Sequence, residues 1–187
     1  MTIAMQNLEQ SFFPKELEAK LQKIKLAIFD IDGVFTDGHL YYTAQGETIK
    51  AFSVLDGHGI KILKRNKIKV AIISGKKTEA LLARMKDLQI EDLHCGVDYK
   101  LPIYEQLLKK YNLSKDEVCY MGDDIPDYPI LKNCGLSVCA KNSHAIILNT
   151  CDWVIDIVGG SGAVRQLCDA IIIAKFGIDE LLNQEKT

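Results

Sequence analysis

The chain has 187 residues, 48% of them hydrophobic and 26% charged, with a net charge of −2. Those values suit one globular domain spanning residues 1–187, with a core at about 24–175, and a core of that size folds without a disulfide or metal staple. The near-balanced charge excludes the basic surface that nucleic acid or an anionic membrane would require. A small-molecule or protein partner is expected instead. The N-terminus has neither the early basic cluster nor the apolar run of a secretory signal,. The longest late apolar run, residues 170–174, is too short to cross a bilayer,. The sequence therefore reads as cytoplasmic. Six cysteines at 95, 119, 134, 139, 151 and 168 form no C-x-x-C pair. They read as reduced, mostly buried thiols rather than zinc ligands.

Residues 1–23 carry no strong pattern and are expected to be peripheral. LAIFD (26–30) begins the core as a continuous apolar strand,. His39 to Val54 then reads as two strands joined by a turn at Gln45-Gly46, a hairpin over the end of that first strand,. A helix over Ile60 to Arg65 follows a glycine-containing turn. Next come the strand KVAIIS (69–74) and an amphipathic helix, Lys77 to Leu88. Pro102 to Tyr111 begins with proline where a helix tolerates it and ends at Asn112,. The strands VCYM (118–121), LSVC (136–139) and WVID (153–156) precede a last helix, Ser161 to Phe176, stopped by Gly177,. Residues 178–187 are expected to be peripheral, with a mobile end,. Strand and helix in alternation predict an α/β fold with a doubly wound parallel sheet, whose ligands bind outside the carboxyl ends of the strands.

Those ends are where the polar residues cluster. The first strand leads into Asp30-Ile31-Asp32-Gly33 and the second into Ser74-Gly75. Lys100 precedes the Pro102 helix, and VCYM leads into Gly122-Asp123-Asp124-Ile125-Pro126-Asp127. Each signal alone is weak: D-x-D is common, Ser-Gly is a turn, and an aspartate after glycine caps a helix. Together, on these elements and in this order, they point to chemistry. Carboxylates gathered at one edge repel one another unless a cation sits among them. Mg²⁺ suits hard oxygen donors supplemented by water and phosphate. Lys100, the Ser74 hydroxyl and the backbone amides near Gly33 and Gly75 would bind the remaining phosphoryl oxygens.

IFDIDGV, IISG, the later lysine and GDDIPD resemble the four motifs of the haloacid dehalogenase (HAD) superfamily, over residues 24–175. The resemblance implies a nucleophile at Asp30 and an acid/base at Asp32. It also implies Mg²⁺ held by Asp30, the Asp32 backbone carbonyl and Asp123, with Asp124 or Asp127 in support. Only 41 residues separate Asp32 from Ser74, and 25 separate Ser74 from Lys100. That leaves room for the hairpin but for no cap domain. Shielding a small substrate from water would fall to a second copy of the chain, so a homo-oligomer is expected, a tetramer by the resemblance.

TDGHLYY, KAFSVLDGHGIK and GGSGAVRQLCD are more closely similar to the family of 3-deoxy-D-manno-octulosonate 8-phosphate (KDO 8-phosphate) phosphatases. That similarity implies a sugar-acid phosphate as substrate. The implied contacts are Asp32, Gly33, Gly75 and Lys100, the stretch Ser53, Val54, Leu55, Asp56 and Gly57, and the cations Lys61, Lys76 and Arg84. Members of that family often carry Arg where this chain has Leu55, Lys61, Lys76 and Ser161. Lysine keeps the charge but loses the bidentate fork. A nine-carbon sialic-acid-type 9-phosphate is therefore the competing substrate. His58 and Gly159 to Gly162 are further candidates for the site or its neighbour, while His94 and Arg165 read as structural or surface residues. Two other classes compete. A phospho-aspartate switch is disfavoured because D-x-D comes first, GDD comes last, and Asp32 supplies an acid/base. A non-catalytic assembly homologue is disfavoured by the intact set Asp30, Asp32, Ser74, Lys100 and Asp123.

Overall fold

The computed structural model describes residues 12–183. The expectations for 1–11 and 184–187 lie outside the described residues. Six strands form one parallel sheet: β1 (Leu26–Phe29), β4 (Lys69–Ser74), β5 (Asp92–Cys95), β6 (Val118–Met121), β7 (Leu136–Ala140) and β8 (Trp153–Ile155). Their order is β5-β4-β1-β6-β7-β8. A separate antiparallel hairpin, β2 (Tyr41–Thr43) and β3 (Gly46–Ile49), follows β1. The order reverses between β1 and β6, which is where an open sheet of this kind leaves a crevice.

Because successive strand residues point to opposite faces, each strand feeds two cores. Ala27 and Phe29 of β1 join one, and Leu26 and Ile28 join the other. The first core is covered by α1 (Glu18–Lys23), α2 (Val54–Arg65), α3 (Glu79–Asp87) and α7 (Ala163–Phe176). The second is covered by α4 (Lys100–Tyr111), α5 (Tyr128–Leu131) and α6 (Ala145–Leu148). A short last helix, α8 (Asp179–Leu182), lies against α7. The expected doubly wound α/β fold without a cap is the observed one.

Three departures have local causes. The edge strand β5 (DLHC) escapes notice in the sequence because it is short and carries Asp92 and His94 among its four residues. Helix α2 begins six residues earlier than the expected Ile60. Ser53 caps it by accepting from the Asp56 amide at 3.4 Å. Its glycines serve close packing rather than a turn: a Cβ at Gly59 would lie 3.1 Å from both Arg165 Cδ and Cys168 Cβ of α7. Finally, the segments flanking the core are anchored, since Leu17, Leu21 and Ile178 are buried.

The α2–α7 contact carries a buried charge. Asp56, wholly inaccessible, accepts the backbone N–H groups of Arg165 at 2.8 Å and Gly162 at 3.3 Å. It thereby satisfies amide donors at the start of α7 that the helix itself cannot pair. Burial raises its carboxyl above the ordinary value, and the two amide bonds oppose that rise. Replacing Asp56 by Ala should destabilise the protein by about 1–3 kcal/mol, because buried donors lose their acceptor. Asp56→Asn, which keeps an acceptor oxygen, should lose less; urea denaturation of the two variants measures the difference.

Candidate active site

The carboxyl ends of β1, β4 and β6 converge on a cleft of about 430 Å³. Asp30 follows β1, and its amide donates to Met121 O of β6 at 2.9 Å, which fixes it between the two strands. Lys100, in the first turn of α4, reaches across with an almost fully buried side chain. Its ammonium lies 2.9 Å from Asp30 Oδ1 and 2.7 Å from Asp127 Oδ1. Asp127 is itself held from all sides. Tyr120 donates its hydroxyl to Oδ1, and the amides of Asp123 and Asp124 donate to Oδ2 at 3.0 and 3.3 Å.

Close backbone approach makes this possible. A Cβ at Gly33, where φ is +77°, would sit 2.0 Å from Asp123 Oδ2. One at Gly122 would sit 2.5 Å from Asp127 Cγ. No side chain beyond hydrogen fits at either place.

Asp30, Asp123 and Asp127 each offer an oxygen, all within 4.8 Å of one another. Burial first, and then the charge of Asp127, raises Asp30 to about 7 despite Lys100. Burial, followed by the charges of Asp30 and Asp127, raises Asp123 to about 8. One lysine thus leaves the cluster short of positive charge. A hard divalent cation with oxygen preference fits that donor set.

The sequence-derived residues divide between two places. Asp30, Asp32, Ser74, Gly75, Lys76, Lys100, Asp123, Asp124 and Asp127 all line the cleft. Ser74 is buried, and its hydroxyl accepts from the Lys76 amide at 3.3 Å. Of the two supporting aspartates, Asp127 joins the cluster. Asp124 faces solvent and accepts from the Ile125 amide at 2.8 Å. The Asp32 carboxylate takes no part in the cluster and is instead paired with Lys50.

The second group gathers at the start of α2 and does not line the cleft. Val54, Leu55 and Lys61 are exposed there. Arg84 donates to Ser53 O at 3.4 Å and closes over Gly57, where a Cβ would meet its Nη2 at 2.2 Å. Leu55 borders another hollow, of about 400 Å³, with Phe12, Ser161 and Arg165. Asp56 corrects the sequence reading: its buried carboxylate is occupied by α7 amides and is not presented to a ligand. His58 is exposed on α2, and His94 is half-buried on β5. Arg165 pairs with Asp169 at 2.7 Å. A Cβ at Gly159 would meet Gly33 O at 1.9 Å, so the Gly159–Gly162 turn abuts the nucleophile loop.

Sequence reasoning missed Gly38, Val97, Asp98 and Pro126, which also line the cleft. It also missed the supports Tyr120 and Lys50. Nothing local marked the supports, because Tyr120 reads as a core strand residue and Lys50 as the end of a hairpin.

An open parallel sheet with an acidic carboxyl edge and, among the described residues, no domain inserted beyond the hairpin after β1 defines the class, a capless haloacid dehalogenase-like hydrolase. A family profile described as haloacid dehalogenase-like hydrolase matches residues 99–167. The 3-deoxy-D-manno-octulosonate 8-phosphate phosphatase of Escherichia coli K12 is 40% identical over 166 residues, 89% of this chain and 88% of its own. The crystal structure of the Yersinia pestis phosphatase of that name superposes with a TM-score of 0.85 at 39% identity, covering 88% of this chain and 89% of that one. That of the Moraxella catarrhalis phosphatase, in complex with magnesium, phosphate and KDO, gives 0.87 at 33% identity, covering 91% and 98%. The chain belongs to the 3-deoxy-D-manno-octulosonate 8-phosphate phosphatase family of these hydrolases.

The raised carboxyls set a pH dependence. An aspartate whose folded value lies above its unfolded value of about 4 stabilises the fold at low pH. It loses that contribution as pH rises through the folded values of about 7 and 8,. In EDTA, Tm should therefore fall from pH 5.5 to 8.5, and fall less in Asp123→Asn. Added Mg²⁺ should raise Tm more at the higher pH, where the ligands are ionised; a thermal-shift series measures both effects.

Proposed function

We propose that this protein is a Mg²⁺-dependent phosphatase hydrolysing KDO 8-phosphate to KDO and inorganic phosphate. The observation that carries the chemistry is the cluster of buried Asp30 and Asp127 with half-buried Asp123, and Lys100 between the first two. The choice of substrate is supported by the family.

Asp30 attacks phosphorus while Asp32 gives its proton to the departing sugar oxygen, leaving an aspartyl phosphate and the free alcohol. Asp32, now ionised, takes a proton from water as that water attacks phosphorus. Phosphate departs, and the Asp30 carboxylate is restored. Splitting one hard displacement into two easier ones is the gain from the covalent intermediate. Asp30, Asp123 and Asp127 would hold the Mg²⁺, with the Asp32 carbonyl, and the ion would supply charge neutralisation that lets a phosphate dianion approach. Lys100 fixes the orientation of Asp30 and offsets its charge. The Ser74 hydroxyl and the amides of Gly33 and Gly75 receive phosphoryl oxygens.

Specificity is assigned to Lys76 at the cleft and to the α2 group Ser53, Val54, Leu55, Gly57, Lys61 and Arg84. That group would act where a second copy closes the cleft. Tyr41, Tyr42 and Ile49 of the hairpin and Val54 of α2 are exposed apolar residues of the kind a subunit contact covers,. They support a homo-oligomer, a tetramer in this reading. A cytoplasmic location goes with it; among the described residues no helix is long and apolar enough to cross a membrane.

Phosphate release should be fast with KDO 8-phosphate and Mg²⁺ and absent in EDTA, and Asp30→Asn should lower it at least about a thousandfold. Preference for a nine-carbon 9-phosphate in the same assay would keep the mechanism and replace the substrate. Light scattering should give a mass above one chain of 20.9 kDa, and Tyr42→Glu combined with Ile49→Glu should reduce it towards the monomer.

A further inference from the structure

We infer that Lys50 is the positioning residue for the acid/base Asp32. Lys50 follows β3 directly, and its side chain is 1% exposed. An ammonium so deeply buried is tolerated only beside a compensating charge, and Lys50 donates to Asp32 Oδ1. Asp32 lines the cleft and Lys50 does not. The lysine therefore acts through the carboxylate rather than on the substrate.

The arrangement separates two kinds of carboxylate. Asp30 and Asp127 share Lys100, and with Asp123 they form the cluster whose oxygens lie within 4.8 Å of one another. Asp32 is only two residues from Asp30, yet its carboxylate is outside that cluster and has its own cation. The turn after it is fixed as well: Gly33 takes φ +77°, and its amide donates to Thr36 Oγ1 at 3.3 Å. The backbone thus sets where Asp32 begins, and Lys50 sets where its carboxylate ends. Because Lys50 leaves the end of the hairpin, the hairpin contributes to catalysis from within its own chain and not only as a contact surface.

The inference rests on the reading of Asp32 as the acid that protonates the leaving oxygen. It predicts a leaving-group signature, because kcat/KM covers every step up to departure of that oxygen. A sugar alkoxide needs the proton and a nitrophenolate does not. With full-length, Mg²⁺-loaded protein, Lys50→Met should lose at least about tenfold more kcat/KM on KDO 8-phosphate than on p-nitrophenyl phosphate. Lys50→Arg should restore most of the difference, and calorimetric Mg²⁺ affinity should stay within about threefold of the parent. Asp32→Asn should show the same substrate asymmetry, more strongly. Should Lys50→Met fold poorly, Lys50→Gln is read for the same ratio. Equal loss on both substrates, no loss, or a parallel loss of Mg²⁺ affinity while Asp32→Asn keeps its asymmetry would overturn the role of Lys50 alone. Equal loss on both substrates in Asp32→Asn would remove the acid/base reading, and this inference with it.

Discussion

The molecule is organised around mutual repulsion between carboxylates brought close together in a poorly solvated place. Asp30, Asp123 and Asp127 sit at one sheet edge because two adjacent parallel strands, β1 and β6, end there side by side. Left alone, such a group would resist folding or stay protonated. Lys100 is the internal answer, and it works because α4 begins at the level of the strand ends and directs the ammonium inward. The answer is incomplete by design: a fully neutralised cluster would have nothing to offer a cation. Raised values at Asp30 and Asp123 are the measure of that remaining imbalance.

Much of this was legible in the sequence. Apolar runs without alternation announced strands covered on both faces, and the polar residues immediately after them announced the cleft. The short intervals between motifs excluded a cap. What was not legible follows from how the missing features arise. Strand β5 exists because β4 presents an unpaired edge for it to join, rather than from its own four residues. The early start of α2 depends on Gly57 and Gly59, which read locally as a turn but globally as room for Arg84 and α7. Asp56 lies in a stretch whose resemblance suggested substrate contact, and only tertiary structure shows its carboxylate occupied by amides more than a hundred residues away. Lys50 and Tyr120 have no pattern of their own; each is defined by the carboxylate it meets.

The site also shows a division between what is built from backbone and what is built from side chains. Asp30 is placed by a strand-to-strand amide bond, Asp127 by two amides, and the nucleophile loop by glycines on both sides of it. The start of α2 is held instead by a long, adjustable side chain, that of Arg84, which donates to Ser53 O.

The contact of Gly159 with Gly33 has a consequence for how such a protein can diverge. There is no side chain at that junction to lengthen, shorten or recharge, so mutation has no graded way of retuning it. On the proposed function, divergence would be channelled to the exposed residues of α2, Val54, Leu55 and Lys61, whose side chains can change without disturbing the carboxylate cluster. On that reading, exchanging the substrate would be a matter of redecorating one helix, and a lineage could explore new sugars without rediscovering how to cleave a phosphate ester.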